Sequence, residues 1–314
     1  MKQMTYLEAG REGLAEMMRE DKTVWALGED LGRGGVFGQY HGLQAEFGNE
    51  RIVDTPISES CILGSAVGAA MMGTRPIVEM RFADFALCAV DELVNQAAKA
   101  RYMFGGQARV PMVVREPSGM WRSSAAQHSQ SLESWYAHIP GLVVVMPSTP
   151  ADNKSLLMES IRCDDPVVFL EHKGLWDLKG PVDDNTEILP IGKARVAKPG
   201  SDVTIVSWSA MFHTSMEAAK GLAEKGINAE VIDLRTLWPW DKKTVYESVH
   251  KTGHLVVVHE AVQVGGFGAE IVASVSENVF SDLKSAPLRV AAPRIPISYA
   301  PTMENEVRIT EDQI

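Results

Sequence analysis

The chain has 314 residues, 45% hydrophobic and 23% charged, with a formal net charge of −11 and a sequence pI near 5.3. That is the composition of a soluble globular protein with enough chain for two domains, and its acidity speaks against a nucleic-acid backbone as partner. No apolar run reaches the ~18–20 residues that cross a bilayer, the acid-bearing amphipathic start has no secretory core, and Cys61, Cys88 and Cys163 form neither a disulfide framework nor a zinc spacing, so a cytoplasmic location is expected.

In chain order, an amphipathic helix over 1–21 leads into a strand over 23–27 and a glycine cluster, "GRGGVFG". The stretch "DTPISES" then places Glu59 at the mouth of a helix over 60–73 that is made of small and apolar residues. A strand over 76–80, a helix over 87–103 and a strand over 111–115 precede the polar loop "AAQHSQSLE". Strands over 142–146 and 166–170 flank a helix over 151–163. A second series of strands (203–207, 229–234, 255–260, 287–292) alternates with helices over 212–225, 241–250 and 267–280. Most strand runs are continuously apolar, as parallel strands covered on both faces are. The alternation predicts two doubly wound, mostly parallel-sheet α/β domains, 1–172 and 200–314. The Gly-, Pro- and Asp-rich segment 173–199 reads as the linker between them.

The motifs narrow the chemistry. "GRGGVFG" and "GGFGAEI" are not followed by the acid that a nicotinamide-binding fingerprint needs, and they read first as tight turns. There is no GxSxG elbow and no GxxxxGK[ST] loop, and His254 and His259 at the two ends of one strand do not make a metal site. Two features remain. Glu59 is either a functional acid or one favoured by the helix dipole. The loop 125–133 is either functional, through His128, or an ordinary approach to a helix capped by Ser131.

Together, "GED" (28–30), "RIVDTPISES", "RPIVEMRFADFALCAVDELVNQAAKARYMFGG", "QHSQSLE", "IPGLVVVMPSTPADNKSLL", "DPVVFLEHK" and "EVIDLRTLWPWD" resemble the beta subunit of the thiamine-diphosphate-dependent decarboxylating component of 2-oxo acid dehydrogenases. The wording is similar to the pyruvate and acetoin types, and the resemblance covers almost the whole chain, up to "ITEDQI", where relatives run on by a turn or two of helix. It implies a transketolase-like pyrimidine-binding domain followed by a transketolase-type C-terminal domain. It implies that Glu59 touches N1′ of the cofactor's aminopyrimidine and shares a proton with it, favouring the imino form whose N4′ removes the thiazolium proton. An apolar envelope from Ile57, Cys61, Ile62 and Leu63 would favour the protonated acid. Phe85 would pack on the pyrimidine face with Phe82 and Arg81 nearby, and His128 would stabilise charge and assist proton transfer. Glu29 and Asp91 would continue a proton relay from Glu59. A potassium ion would sit on the backbone oxygens of Met112, Ser160, Cys163 and Asp165, and Trp121 and Arg122 would help to shape the substrate pocket.

The family's magnesium and diphosphate motif begins Gly-Asp-Gly, which occurs nowhere here. The resemblance therefore implies an alpha subunit that holds magnesium and the diphosphate, in an α2β2 heterotetramer that passes its product to a lipoyl-bearing acyltransferase core. The expected activity is that of an oxidoreductase on a 2-oxo acid or acetoin. The rival readings are a split transketolase half acting on sugar phosphates and a non-catalytic assembly subunit.

Overall fold

The computed structural model describes residues 1–183 and 189–314. Their strands are β1 (Lys2–Thr5), β2 (Val24–Gly28), β3 (Ile52–Asp54), β4 (Arg75–Glu79), β5 (Val113–Ser118), β6 (Val143–Val145), β7 (Val167–His172) and β8 (Lys179–Val182), then β9 (Arg195–Lys198), β10 (Val203–Ser207), β11 (Ala229–Asp233), β12 (Thr236–Trp238), β13 (Leu255–Val262) and β14 (Leu288–Ala292). A seven-stranded sheet runs in the order β12-β6-β7-β5-β4-β2-β3, and a five-stranded sheet in the order β14-β13-β10-β11-β9. Each is parallel except for one antiparallel edge, β12 in the first and β9 in the second. Every strand expected from an apolar run is present, which places both sheets between helical layers.

β8 pairs antiparallel with β1, so the first unit reaches to Val182, and β9 already belongs to the second sheet. The segment 173–199 is thus partly structured at both ends. β12, although it follows β11 of the second sheet, crosses back to pair with β6. One apolar cluster accordingly runs from Leu27 and Val78 through Val144 to Val206, Ile232 and Val257, welding the two units through a shared core.

Local chemistry explains the elements around the site. The first helix is Tyr6–Glu20, capped by Thr5 and Glu8 in a reciprocal capping box, and the residues before it form β1 rather than helix. Gly10 and Gly13 let it lie against the helix Pro150–Arg162: a Cβ on Gly10 would sit 2.7 Å from Asn153 Nδ2, and one on Gly13 would sit 3.0 Å from the Lys154 carbonyl. The expected continuous helix over 87–103 is broken into a 3-10 turn, a π-helical stretch Glu92–Ala97 and an α-helix Ala98–Met103. Asp91 accepts hydrogen bonds from Asn95 and Gln96, four and five residues on, and the second of these spacings suits the wider turn.

Candidate active site

The parallel register sets Gly28 beside Asp54 and Glu79, Glu79 beside Arg115, and Ser118 beside His172. β2, β3 and β4 therefore end level, β5 and β7 run three residues further, and the segments that leave these five strands lie along one edge, where open α/β sheets hold ligands. Those segments carry Glu29 after β2, Glu59 after β3, Arg81 to Phe85 after β4, the loop 119–132 after β5, and Lys173 after β7.

Phe82, Phe85 and His128 form an edge-to-face cluster. The His128 ring lies 4.7 Å from Phe82 and 5.2 Å from Phe85, and the two phenyl rings are 5.4 Å apart. Phe37, from the glycine-rich "GGVFG", extends the cluster to Phe82, Trp121 and Trp176. His128 is half-buried, and among the described residues its ring nitrogens make no hydrogen bond, so they are free to meet a ligand.

Acids from three distant elements hold the His128 loop. Asp84 accepts from the Gln130 backbone and side-chain amides. Glu260, at the end of the run "VVVHE", accepts from Met120 N at 2.7 Å and from Ser131 Oγ. Glu304 accepts from Ser123 N at 2.7 Å. His172 Nδ1 accepts a hydrogen bond from Gly174 N, which leaves its Nε2–H to donate to Glu260 at 3.0 Å. Burial opposes the Glu260 charge, but His172 and the loop donors outweigh it and hold the carboxyl below its ordinary range. Ser131 therefore ties the loop to Glu260 and does not cap the helix Glu133–Ala137, which starts after Leu132. Arg122, Ser123 and Ala125 all take left-handed backbone conformations (φ 46°, 58° and 63°), a cluster that persists only where the surroundings enforce it.

Glu59 is the first residue of the helix Glu59–Met71 and is half-buried. Glu29 lies close enough for the Glu59 charge to act on it. Burial first, and Glu59 second among the raising influences, push the Glu29 carboxyl up against the opposing Arg81. Arg81 pairs with Glu29 at 3.4 Å and with Asp30 at 3.2 Å. The structure thus brings together Phe82, Phe85 and His128, and separately Glu59, Glu29 and Arg81, on the same sheet edge.

The apolar envelope of Glu59 is incomplete in this chain: Ile62 and Leu63 are buried, but Ile57 is 73% exposed and Cys61 also faces outward. Asp91 is exposed and bonded to Asn95 and Gln96, with no hydrogen bond to Glu29 or Glu59 among the described residues. Three of the backbone oxygens expected to hold potassium each accept a hydrogen bond within the chain, which leaves one lone pair on each. The Met112 carbonyl accepts from Val167 N, that of Ser160 from Cys163 N, and that of Cys163 from the Arg75 guanidinium at 2.9 Å. Trp121 packs on Phe37 and Trp176, whereas Arg122 points to Asp177 on the surface.

Sequence reasoning overlooked Lys173, His172, Glu260 and Glu304. The signal available was charge closing an apolar run, in "VVFLEHK" and "LVVVHE". Two sizeable cavities flank the region. One of about 540 Å³ lies between the His128 loop and residues 292–297, and one of about 730 Å³ lies between Trp135, His138, Trp238 and Phe267. Glu59, Phe82 and Phe85 line neither of these two, and each is half-buried.

Comparison with known proteins adds three findings. Residues 2–177 match the transketolase pyrimidine-binding domain, and residues 192–314 match the transketolase C-terminal domain. The chain is 44% identical to the 2-oxoisovalerate dehydrogenase subunit beta of Bacillus subtilis, covering 100% of this chain and 97% of that one. It is 46% identical to the acetoin:2,6-dichlorophenolindophenol oxidoreductase subunit beta of Cupriavidus necator, covering 94% of this chain and 90% of that one. A solved split-gene transketolase, an inactive beta4 tetramer, shares the fold with a TM-score of 0.81 at 22% identity, over 99% of this chain and 95% of that one.

Proposed function

Because the chain belongs to the family of beta subunits of thiamine-diphosphate-dependent 2-oxo acid and acetoin dehydrogenases, we propose that it supplies the pyrimidine-holding half of an active site that a second polypeptide completes. Bound thiamine diphosphate supplies the nucleophile and electron sink for cleavage beside a carbonyl. Glu59 holds a proton at N1′ of the aminopyrimidine, and Glu29, within its electrostatic reach, disfavours a second negative charge there. Phe82 and Phe85 offer apolar faces to the ring, and His128 faces the substrate with both ring nitrogens free to stabilise charge or move a proton.

The observation that carries this reading is the gathering of Glu59, Glu29, Phe82, Phe85 and His128 from four strand ends onto one open edge. Each of Glu59, Phe82, Phe85 and His128 is only partly covered within the chain. Beside them the helix Glu59–Met71 exposes Ser60, Cys61, Ser65 and Gly68, and Ile57 stands clear of the chain, which suits closure by an alpha subunit in an α2β2 assembly. That partner would carry the magnesium and diphosphate ligands. The acyl unit would leave to lipoamide on an acyltransferase core, and the substrate would be a branched or short 2-oxo acid, or acetoin.

The experiment is to assemble the chain with its alpha partner and follow deuterium exchange at C2 of bound thiamine diphosphate by NMR, alongside turnover of 2-oxo acids, acetoin and sugar phosphates. Wild type exchanges rapidly and Glu59→Gln loses about 100-fold or more of that rate. Near-normal exchange in Glu59→Gln removes the role of Glu59. Turnover of sugar phosphates without lipoamide replaces the dehydrogenase reading with a transketolase.

A further inference from the structure

Lys173 follows β7 directly and has no part in the chemistry above, yet it is only 1% exposed. Its Nζ donates to the main-chain carbonyl of His128, 45 residues away in sequence, and lies 4.8 Å from the centre of the Phe82 ring. Asp84, Glu260 and Glu304 act on it electrostatically. These are the same three acids that grip the loop at Gln130, at Met120 with Ser131, and at Ser123. One buried cation therefore sits where the three anchors of the loop converge. Burial pulls its pKa down and the acids pull it up; burial wins, leaving it at about 8.

A lysine that merely satisfied nearby acids would have no reason to bond a carbonyl of the loop. This one bonds the main chain of His128 itself while packing on the ring that His128 touches. The bond fixes the height of the His128 backbone, and Phe82 fixes the direction in which the imidazole can lean. The left-handed residues 122, 123 and 125 precede this point, so the Lys173 bond adds a tether just beyond the strained stretch.

We infer that Lys173 is a positioning residue: it sets where the His128 ring stands against Phe82 and Phe85, and so governs turnover more than cofactor or substrate affinity. The inference rests on the function proposed above for its consequence in turnover, but not for its geometry.

The test uses Lys173→Met and Lys173→Arg, each assembled with the alpha partner and also studied as the free chain. With misplacement of about an ångström, kcat in Lys173→Met falls about 100-fold while KM stays within about threefold, and Lys173→Arg, which keeps a cation and a donor, recovers most of the loss. In the free chain, backbone amides of 119–132 exchange at least about tenfold faster in Lys173→Met, while those of β5 and β7 keep their rates. Should Lys173→Met not fold, Lys173→Gln, uncharged and one atom shorter, takes its place with the same expectations. Unchanged loop exchange, or faster exchange spread evenly through β5 and β7, overturns the inference. A wild-type assembly inactive on every carbonyl substrate counts against the proposed function instead, and the exchange comparison still decides the role of Lys173.

Discussion

Gly119 joins β5 to the His128 loop, and replacing it by alanine tests whether the His172–Glu260 pair is the foundation of that loop. Two costs add at this position. The backbone at Gly119 has φ +82°, which costs a residue bearing a Cβ about 1–2 kcal/mol. The added methyl would lie 2.2 Å from His172 Nε2 and 2.7 Å from Glu260 Oε1, inside both members of a 3.0 Å hydrogen bond. Both side chains are buried and must move into packed surroundings, which adds about 1–3 kcal/mol. The total is about 2–5 kcal/mol, a large share of an ordinary folding free energy. Gly42 provides the control: its φ is also +82°, but nothing lies within 4 Å of its added Cβ, so Gly42→Ala carries the backbone cost alone. The difference between the two variants in urea unfolding isolates the steric part, expected at about 1–3 kcal/mol. Because Glu260 also holds Met120 N and Ser131 Oγ, Gly119→Ala should lower turnover of the assembled enzyme and Gly42→Ala should not. Equal destabilisation by the two substitutions, with equal turnover, would refute the reasoning.

The remaining predictions concern buried charge. Glu79 is buried beside Arg115 and Glu171 with one guanidinium between two carboxylates, and burial raises its pKa from 4.5 to about 7. A raised acid contributes its stability below pH ~4.5 and loses it as pH rises through about 7, a change of about 3 kcal/mol for roughly 2.5 units. Glu79→Gln should therefore gain about 2–3 kcal/mol on wild type between pH 5 and 8.5, read from denaturation midpoints at the two pH values, and a pH-independent gap would show that Glu79 does not titrate there. Lys154, whose side chain is fully buried, bonds Glu12 and Glu16 at 2.9 and 2.7 Å and clamps the first helix to the helix Pro150–Arg162. Lys154→Met strands two half-buried carboxylates and should cost roughly 1–3 kcal/mol, whereas Glu12→Gln leaves the pair with Glu16 intact and should cost less; thermal unfolding gives the order, and a reversed order would place the clamp elsewhere.

The sequence made the interior of each sheet legible because parallel strands buried on both faces carry continuous apolar runs, as Val167–Leu170 of β7 and Leu255–Val258 of β13 do before their polar ends. It hid β8, β9 and β12 for the matching reason. Each is an edge strand of three or four residues whose pairing is chosen by tertiary contact, not by its own composition. The hidden edges carry consequences: β12 crossing to β6 turns two apparent domains into units with a common core, so the linker expected over 173–199 has β8 at one end and β9 at the other. At the site the same division holds. Glu59, Phe85 and His128 are legible one by one through their surrounding motifs, but the supports of the loop are not, because Asp84, Lys173, Glu260 and Glu304 meet only once four separate segments have folded. A charged residue closing a buried apolar run is the physical trace they leave, since burying a charge is costly unless a partner awaits it. That rule has a further use in this chain. Glu260 and Lys173 have their partners within the chain, whereas Glu59 sits half-open beside an outward-facing Ile57, which is the pattern expected under the proposal that a second polypeptide covers the working face.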